Sequence, residues 1–159
     1  MEDIIISVAQ RTLVAGTPLL LGTIGEVLCE RSGILNLGVE GVMSMGAVTA
    51  FIVTLMTNNP WLGLMAAICV GMLISIIHAF ASITLQSNQV VSGLALTMIG
   101  LGVSGLMGKA YVGIPLPVKM NSFAVPLLSD IPYIGPIFFT QSPFFYMAII
   151  LAFVVWFIL

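Results

Sequence analysis

Apolar residues run along this chain in blocks of about twenty, separated by short polar clips, and about twenty mostly apolar residues are what a helix needs to cross a hydrocarbon core. The pattern predicts a first helix over about 8–28, with Gly16, Pro18, Gly22 and Gly25 along it. A second is expected over about 34–57, closed by Thr57-Asn58-Asn59-Pro60. Trp61 opens a third that reaches about Leu85, and the clip Gln86-Ser87-Asn88-Gln89 separates it from a fourth over about 90–108. A fifth begins after Pro143 and is still apolar at Leu159. The fold class expected is therefore all-α: a polytopic transmembrane helix bundle of about five spans.

Between Lys109 and Ser142 the pattern changes. Pro115, Pro117, Pro126, Pro132 and Pro136 lie there, with Tyr111, Phe123, Tyr133, Phe138 and Phe139. So many prolines rule out one continuous helix, which predicts a long ordered loop with a short interfacial or re-entrant helix near 123–140. Because the last apolar run stops without a charged flank, residues 1–159 are expected to be one transmembrane domain, truncated at its C-terminus.

Composition agrees with a membrane protein: 60% of residues are hydrophobic and 6% charged, where soluble domains carry about 25%. The start, Met1-Glu2-Asp3, is acidic where a secretory signal would be basic. A net charge of −2 and four basic residues leave no nucleic-acid patch. Cys29 and Cys69 lie in apolar helical text and read as packing residues rather than a disulfide or metal pair. His78, alone of its type, reads as a buried, hydrogen-bonded helix residue.

The charges are not spread evenly. Glu26, Glu30, Arg31 and Glu40 stand within residues 25–41, whereas 41–108 holds no Asp, Glu, Lys or Arg. Ionisable groups at membrane depth are costly and mark functional paths. Asn36 and Glu40, four apart, would share a face if the helix began at 34. Ser32-Gly33 and Gly38 interrupt this stretch. It reads either as a broken helix lining a cavity or as a solvated turn around Glu30-Arg31, and spacing alone does not choose. Asn88 reads as a helix cap, with Gln89 a lining candidate. Gly100, Ser104 and Gly108, at i, i+4, i+8, read as a helix-packing seam or a hinge. Phosphate-loop, zinc-protease and serine-hydrolase motifs are missing, so no catalytic residue and no metal site are expected.

Three stretches carry a family resemblance: GTPLLLGTIGEVLCERSGILNLGVEGVMSMGAVTAF (16–51), NQVVSGLALTMIGLGVSG (88–105) and LSDIPYIGPIFFTQSPFFY (128–146). They resemble permease subunits of bacterial ABC importers of the simple-sugar and nucleoside group, relatives of ribose and branched-chain amino-acid permeases. The resemblance covers almost the whole chain, in the family's order, while the family's permeases are about twice as long. It implies an N-terminal half of a multi-pass subunit in the bacterial plasma membrane that translocates nucleosides or simple sugars and is not itself an enzyme. A paralogous permease, a cytoplasmic ATPase subunit that binds ATP and Mg, and an extracytoplasmic solute-binding lipoprotein would be its partners. It also implies that 109–142 is extracytoplasmic and favours a cytoplasmic Glu30-Arg31. Asn36 and Glu40, then Asn88 and Gln89, are the candidate path residues. A secondary transporter, a channel, or a nonfunctional permease fragment are the other classes open.

Overall fold

A computed structural model of the chain describes residues 2–118 and 120–159, apart from the side chains of Glu2 and Asp3. Lys119 lies outside the described residues. The helices in chain order are α1 (Glu2–Arg31), α2 (Val39–Thr57), α3 (Pro60–Ala79), α4 (Gln89–Gly108), α5 (Ile134–Phe138) and α6 (Pro143–Ile158). A π-helical segment, Phe80–Thr84, prolongs α3, and a 3₁₀ turn, Lys109–Tyr111, prolongs α4. Among the described residues, four helical stretches are long and apolar enough to cross a membrane: Ile4–Arg31, Val39–Thr57, Pro60–Thr84 and Gln89–Tyr111. The fold is an all-α bundle of membrane-spanning helices. α6 is apolar but shorter, at 16 residues.

Two expected boundaries move. α1 begins six residues before the expected 8 and ends at Arg31 rather than 28, and its 30 residues amount to about 45 Å of helix. The hydroxyls of Thr12, Thr17 and Thr23 donate to the carbonyls of Val8, Leu13 and Leu19 one turn back. They therefore place no unmet polar group on its apolar surface. Pro18 stands inside the helix, as membrane helices tolerate.

The second shift matters more. α2 starts at Val39, not 34, so Asn36 is not in it and does not share a helical face with Glu40. The cause is how α1 stops. Gly33 adopts φ +84°, its N–H donates to the Glu30 carbonyl, and the N–H of Ile34 reaches back to Cys29. That paired 5→2 and 6→1 bonding ends a helix with glycine in the left-handed region. Five residues, 34–38, then intervene before α2.

The other breaks follow their local signals. Asn58 in the left-handed region ends α2. Asn59 caps α3 by accepting from Trp61 N–H, with Pro60 in the first turn. Asn88 Oδ1 accepts from the N–H groups of Val90 and Val91 at the start of α4.

By contacts the chain forms two compact units, one of Met1–Leu28 with Met120–Leu159 and one of Cys29–Lys119. In the second, α2 packs against both α3 and α4. The α2–α4 crossing is backbone against backbone: a Cβ on Gly100 would lie 2.6 Å from Gly41 Cα. Further along, the hydroxyls of Ser44 and Ser104 meet at 2.6 Å, and Gly108 faces Val48. The α2–α3 crossing closes where Gly63 lies over Ala50 and Thr54. Tyr111 sets its ring edge-on to Phe51 of α2. Cys29 is half-buried and Cys69 exposed, so packing within the chain suits the first and not the second.

In the first unit the loop turns back on itself. Phe123 N–H donates to Gln141 O and Val125 N–H to Phe139 O. Gln10 of α1 reaches Pro136 O, and Gly135 sits against Ser129 backbone, where a side chain would not fit. The short helix expected within 123–140 is α5. Its neighbour Gln141 is 3% exposed and spends its amide N–H on Ile137 O.

Candidate functional site

Residues 34–38 are irregular backbone beside apolar helices, so their N–H and C=O groups need partners that regular structure does not supply. Side chains supply them. Gln89 Oε1, at the start of α4, accepts from Leu35 N–H at 2.8 Å. His78, on the last turn of α3, places Nε2 3.3 Å from Leu35 O. Thr97 of α4 donates to Leu37 O at 2.7 Å. Within the segment, Asn36 Oδ1 accepts from Gly38 N–H at 2.9 Å, an Asx turn that leads the chain into α2. Gly93 allows the close approach, because a Cβ there would lie 2.7 Å from Leu37 N.

His78 joins this segment to two other elements. It is 3% exposed. Nδ1 lies 3.3 Å from Ser92 Oγ on α4, and Nε2 lies 3.4 Å from Ser82 Oγ in the π-helical segment. A carbonyl only accepts, so the bond to Leu35 requires the proton on Nε2. A ring with that single proton accepts from the Ser92 hydroxyl at Nδ1. The buried, hydrogen-bonded reading of His78 agrees with this geometry.

Of the residues singled out in the sequence, Asn36 is buried within the irregular segment, and Gln89 is bonded to its neighbour Leu35. Glu40 stands apart, exposed on the first turn of α2, where a carboxylate faces the positive end of the helix dipole. Asn88 is at the helix cap. Gly100, Ser104 and Gly108 lie along the α4 face that meets α2. Glu30 and Arg31 are exposed at the end of α1, and Glu26 is half-buried.

Sequence reasoning passed over Ser82, Ser92 and Thr97. A signal was there for the last: Gly93, Thr97, Gly100, Ser104 and Gly108 recur every three or four residues, one helical face. Ser82 stands four residues after His78, but nothing local announces that both turn to one loop.

Residues 8–159 match the family described as the permease component of branched-chain amino acid transport systems, and the chain belongs to that family. Three relatives resemble it closely. A protein named as a glucose ABC transporter permease of Haloferax volcanii is 41% identical over 93% of this chain and 46% of its own length. A guanosine ABC transporter permease of Bacillus subtilis is 42% identical over 93% of this chain and 50% of its own. A nucleoside ABC transporter permease of Lactococcus lactis is 38% identical over 92% and 50%. The chain thus spans about half the length of the curated relatives it matches. No solved structure matches it.

Proposed function

We propose that this chain is part of the translocating subunit of an ATP-driven importer, carrying nucleosides and, as the second choice of solute, simple sugars. The observation that carries the proposal is the family match over residues 8–159. Two of the three relatives are named for nucleoside or guanosine transport and one for glucose, which orders the solutes. These solutes are neutral and rich in hydrogen-bonding groups. Stripping them of water is costly unless the path supplies partners. A run free of formal charge from 41 to 108, with amide and hydroxyl side chains near the 34–38 break, suits such cargo better than it suits an ion.

In this reading Asn36 and Glu40 line or gate the path. Asn88 and Gln89 stand second to them; the side-chain oxygens of Asn36, Asn88 and Gln89 each already serve backbone N–H groups. A separate ATPase subunit binds ATP and Mg, a paralogous permease pairs with this one in the plasma membrane, and a lipoprotein delivers solute. The exposed rings of Phe123, Tyr133 and Phe138 offer that lipoprotein a contact. Transport then needs only different solute affinities in outward- and inward-facing states, a bias ATP can impose.

The test is uptake of labelled nucleosides against labelled pentoses and hexoses by the complete transporter, with and without its ATPase. Nucleoside uptake that disappears with the ATPase is the expected result. Uptake that survives its loss would make the protein a secondary transporter or channel. Asn36→Ala and Glu40→Gln are expected to lower solute affinity or rate several-fold, and unchanged uptake in both would remove them from the path.

A further inference from the structure

The 34–38 segment is held from outside itself, and one holder is shared. Leu35 has its N–H bonded to Gln89 and its carbonyl bonded to His78. His78 reaches three elements: the segment, the first turn of α4 through Ser92, and the π-helical end of α3 through Ser82. π-helical turns interrupt the ordinary i→i−4 ladder and are frequent at functional places. Here the turn begins two residues after the histidine. Its closing bond runs from Leu85 N–H to Phe80 O, five residues back.

We propose that His78 is a positioning residue: it sets where residues 34–36 stand and, through Leu35, presents the adjacent Asn36 to the solute path. The chemistry explains the residue type. An imidazole donates at one edge and accepts at the other, so one rigid ring holds a carbonyl of the segment while receiving a hydroxyl from α4. A leucine of similar bulk fills the space and leaves the Leu35 carbonyl without that donor, where lipid and packed helices offer little water to replace it. A glutamine keeps one N–H. The part concerning Asn36 and solute rests on the transport reading; the part concerning the segment does not.

The experiment uses the complete transporter in membranes, with Cys29→Ala and Cys69→Ala as background. Leu35→Cys reports on the segment, and Met56→Cys, exposed near the end of α2, is the control. Adding His78→Leu is expected to raise the maleimide labelling rate at position 35 roughly three- to tenfold, the population shift that loss of one hydrogen bond allows. Position 56 should not change. His78→Gln should restore most of the protection, and Ser92→Ala should give a smaller rise. In uptake, His78→Leu should raise KM several-fold with a smaller change in maximal rate, and His78→Gln should recover it. Equal labelling at position 35 in His78→Leu and its parent would overturn the proposal, and so would equal rises at 35 and 56, which would mean general loosening. If His78→Leu does not assemble, Ser92→Ala decides by the same two positions. Labelling as expected, in a transporter that moves neither nucleosides nor sugars, supports the positioning role and removes the transport reading.

Discussion

Gly33 and Asn88 set two helix ends by different physics. At φ +84°, Gly33 has a backbone conformation that an L-side chain adopts only at a cost. Gly33→Ala should destabilise the protein by about 1 kcal/mol, although a Cβ there would meet nothing within 4 Å. Gly33→Asn should recover part of the loss, since asparagine tolerates the left-handed region. Thermal unfolding of the purified transporter, comparing these two variants, separates a backbone cause from a packing one. Asn88 acts through its side chain, accepting from two N–H groups at the start of α4. Asn88→Ala should cost about 1 kcal/mol and Asn88→Asp much less. Asn88 was legible as a cap, because an asparagine before a helix is a local signal; Gly33 was legible only as an interruption, because the expected helix ended at 28. His78 was legible only as buried. Its partners Leu35 and Ser92 lie 43 and 14 residues away, and nothing in the neighbouring sequence names them.

At the scale of helices, the α2–α4 seam decides what substitutions the bundle tolerates. Gly100 lies against Gly41 backbone, where no rotamer change can make room, while Gly102 and Gly105 of the same helix face nothing within 4 Å. Gly100→Ala should therefore force the helices apart and cost about 1–3 kcal/mol. Gly102→Ala and Gly105→Ala should be neutral or stabilising by up to about 1 kcal/mol, because alanine is the better helix former. Unfolding of the three variants in one detergent gives the order directly, and equal effects would refute the seam. The spacing of Gly100, Ser104 and Gly108 made part of this face readable. The start of α2 was misjudged for a physical reason. Apolar residues at 34, 35 and 37 continue the helical composition; the Gly33 stop holds Ile34 back on α1, and the bonds that hold Leu35 and Leu37 out of a helix come from α3 and α4.

For the whole molecule, the succession of spans fixes which breaks share a side of the membrane. α2 has 19 residues, or about 28 Å of helix, enough for one crossing. The stretch Pro60–Thr84 is 25 residues and Gln89–Tyr111 is 23, again one crossing each. The break at 32–38 and the clip at 85–88 must then open to one side, and Asn58-Asn59 and Lys109 to the other. The bond from Leu35 N–H to Gln89 agrees, since it joins the two breaks assigned to the first side. Basic residues do not choose the side, since Arg31 lies beside the 32–38 break while Lys109 and Lys119 follow α4 on the other; the family resemblance implies that 109–142 is extracytoplasmic, which favours the cytoplasm for the side of the 32–38 break. In the Cys29→Ala, Cys69→Ala background, Ser87→Cys should react with a membrane-impermeant thiol reagent in inverted vesicles. Asn58→Cys should react in right-side-out vesicles. The reverse pattern would keep the succession of spans and invert the protein. Reaction of both positions from one side would break the succession itself, and with it the placing of the His78-held segment at a single membrane face.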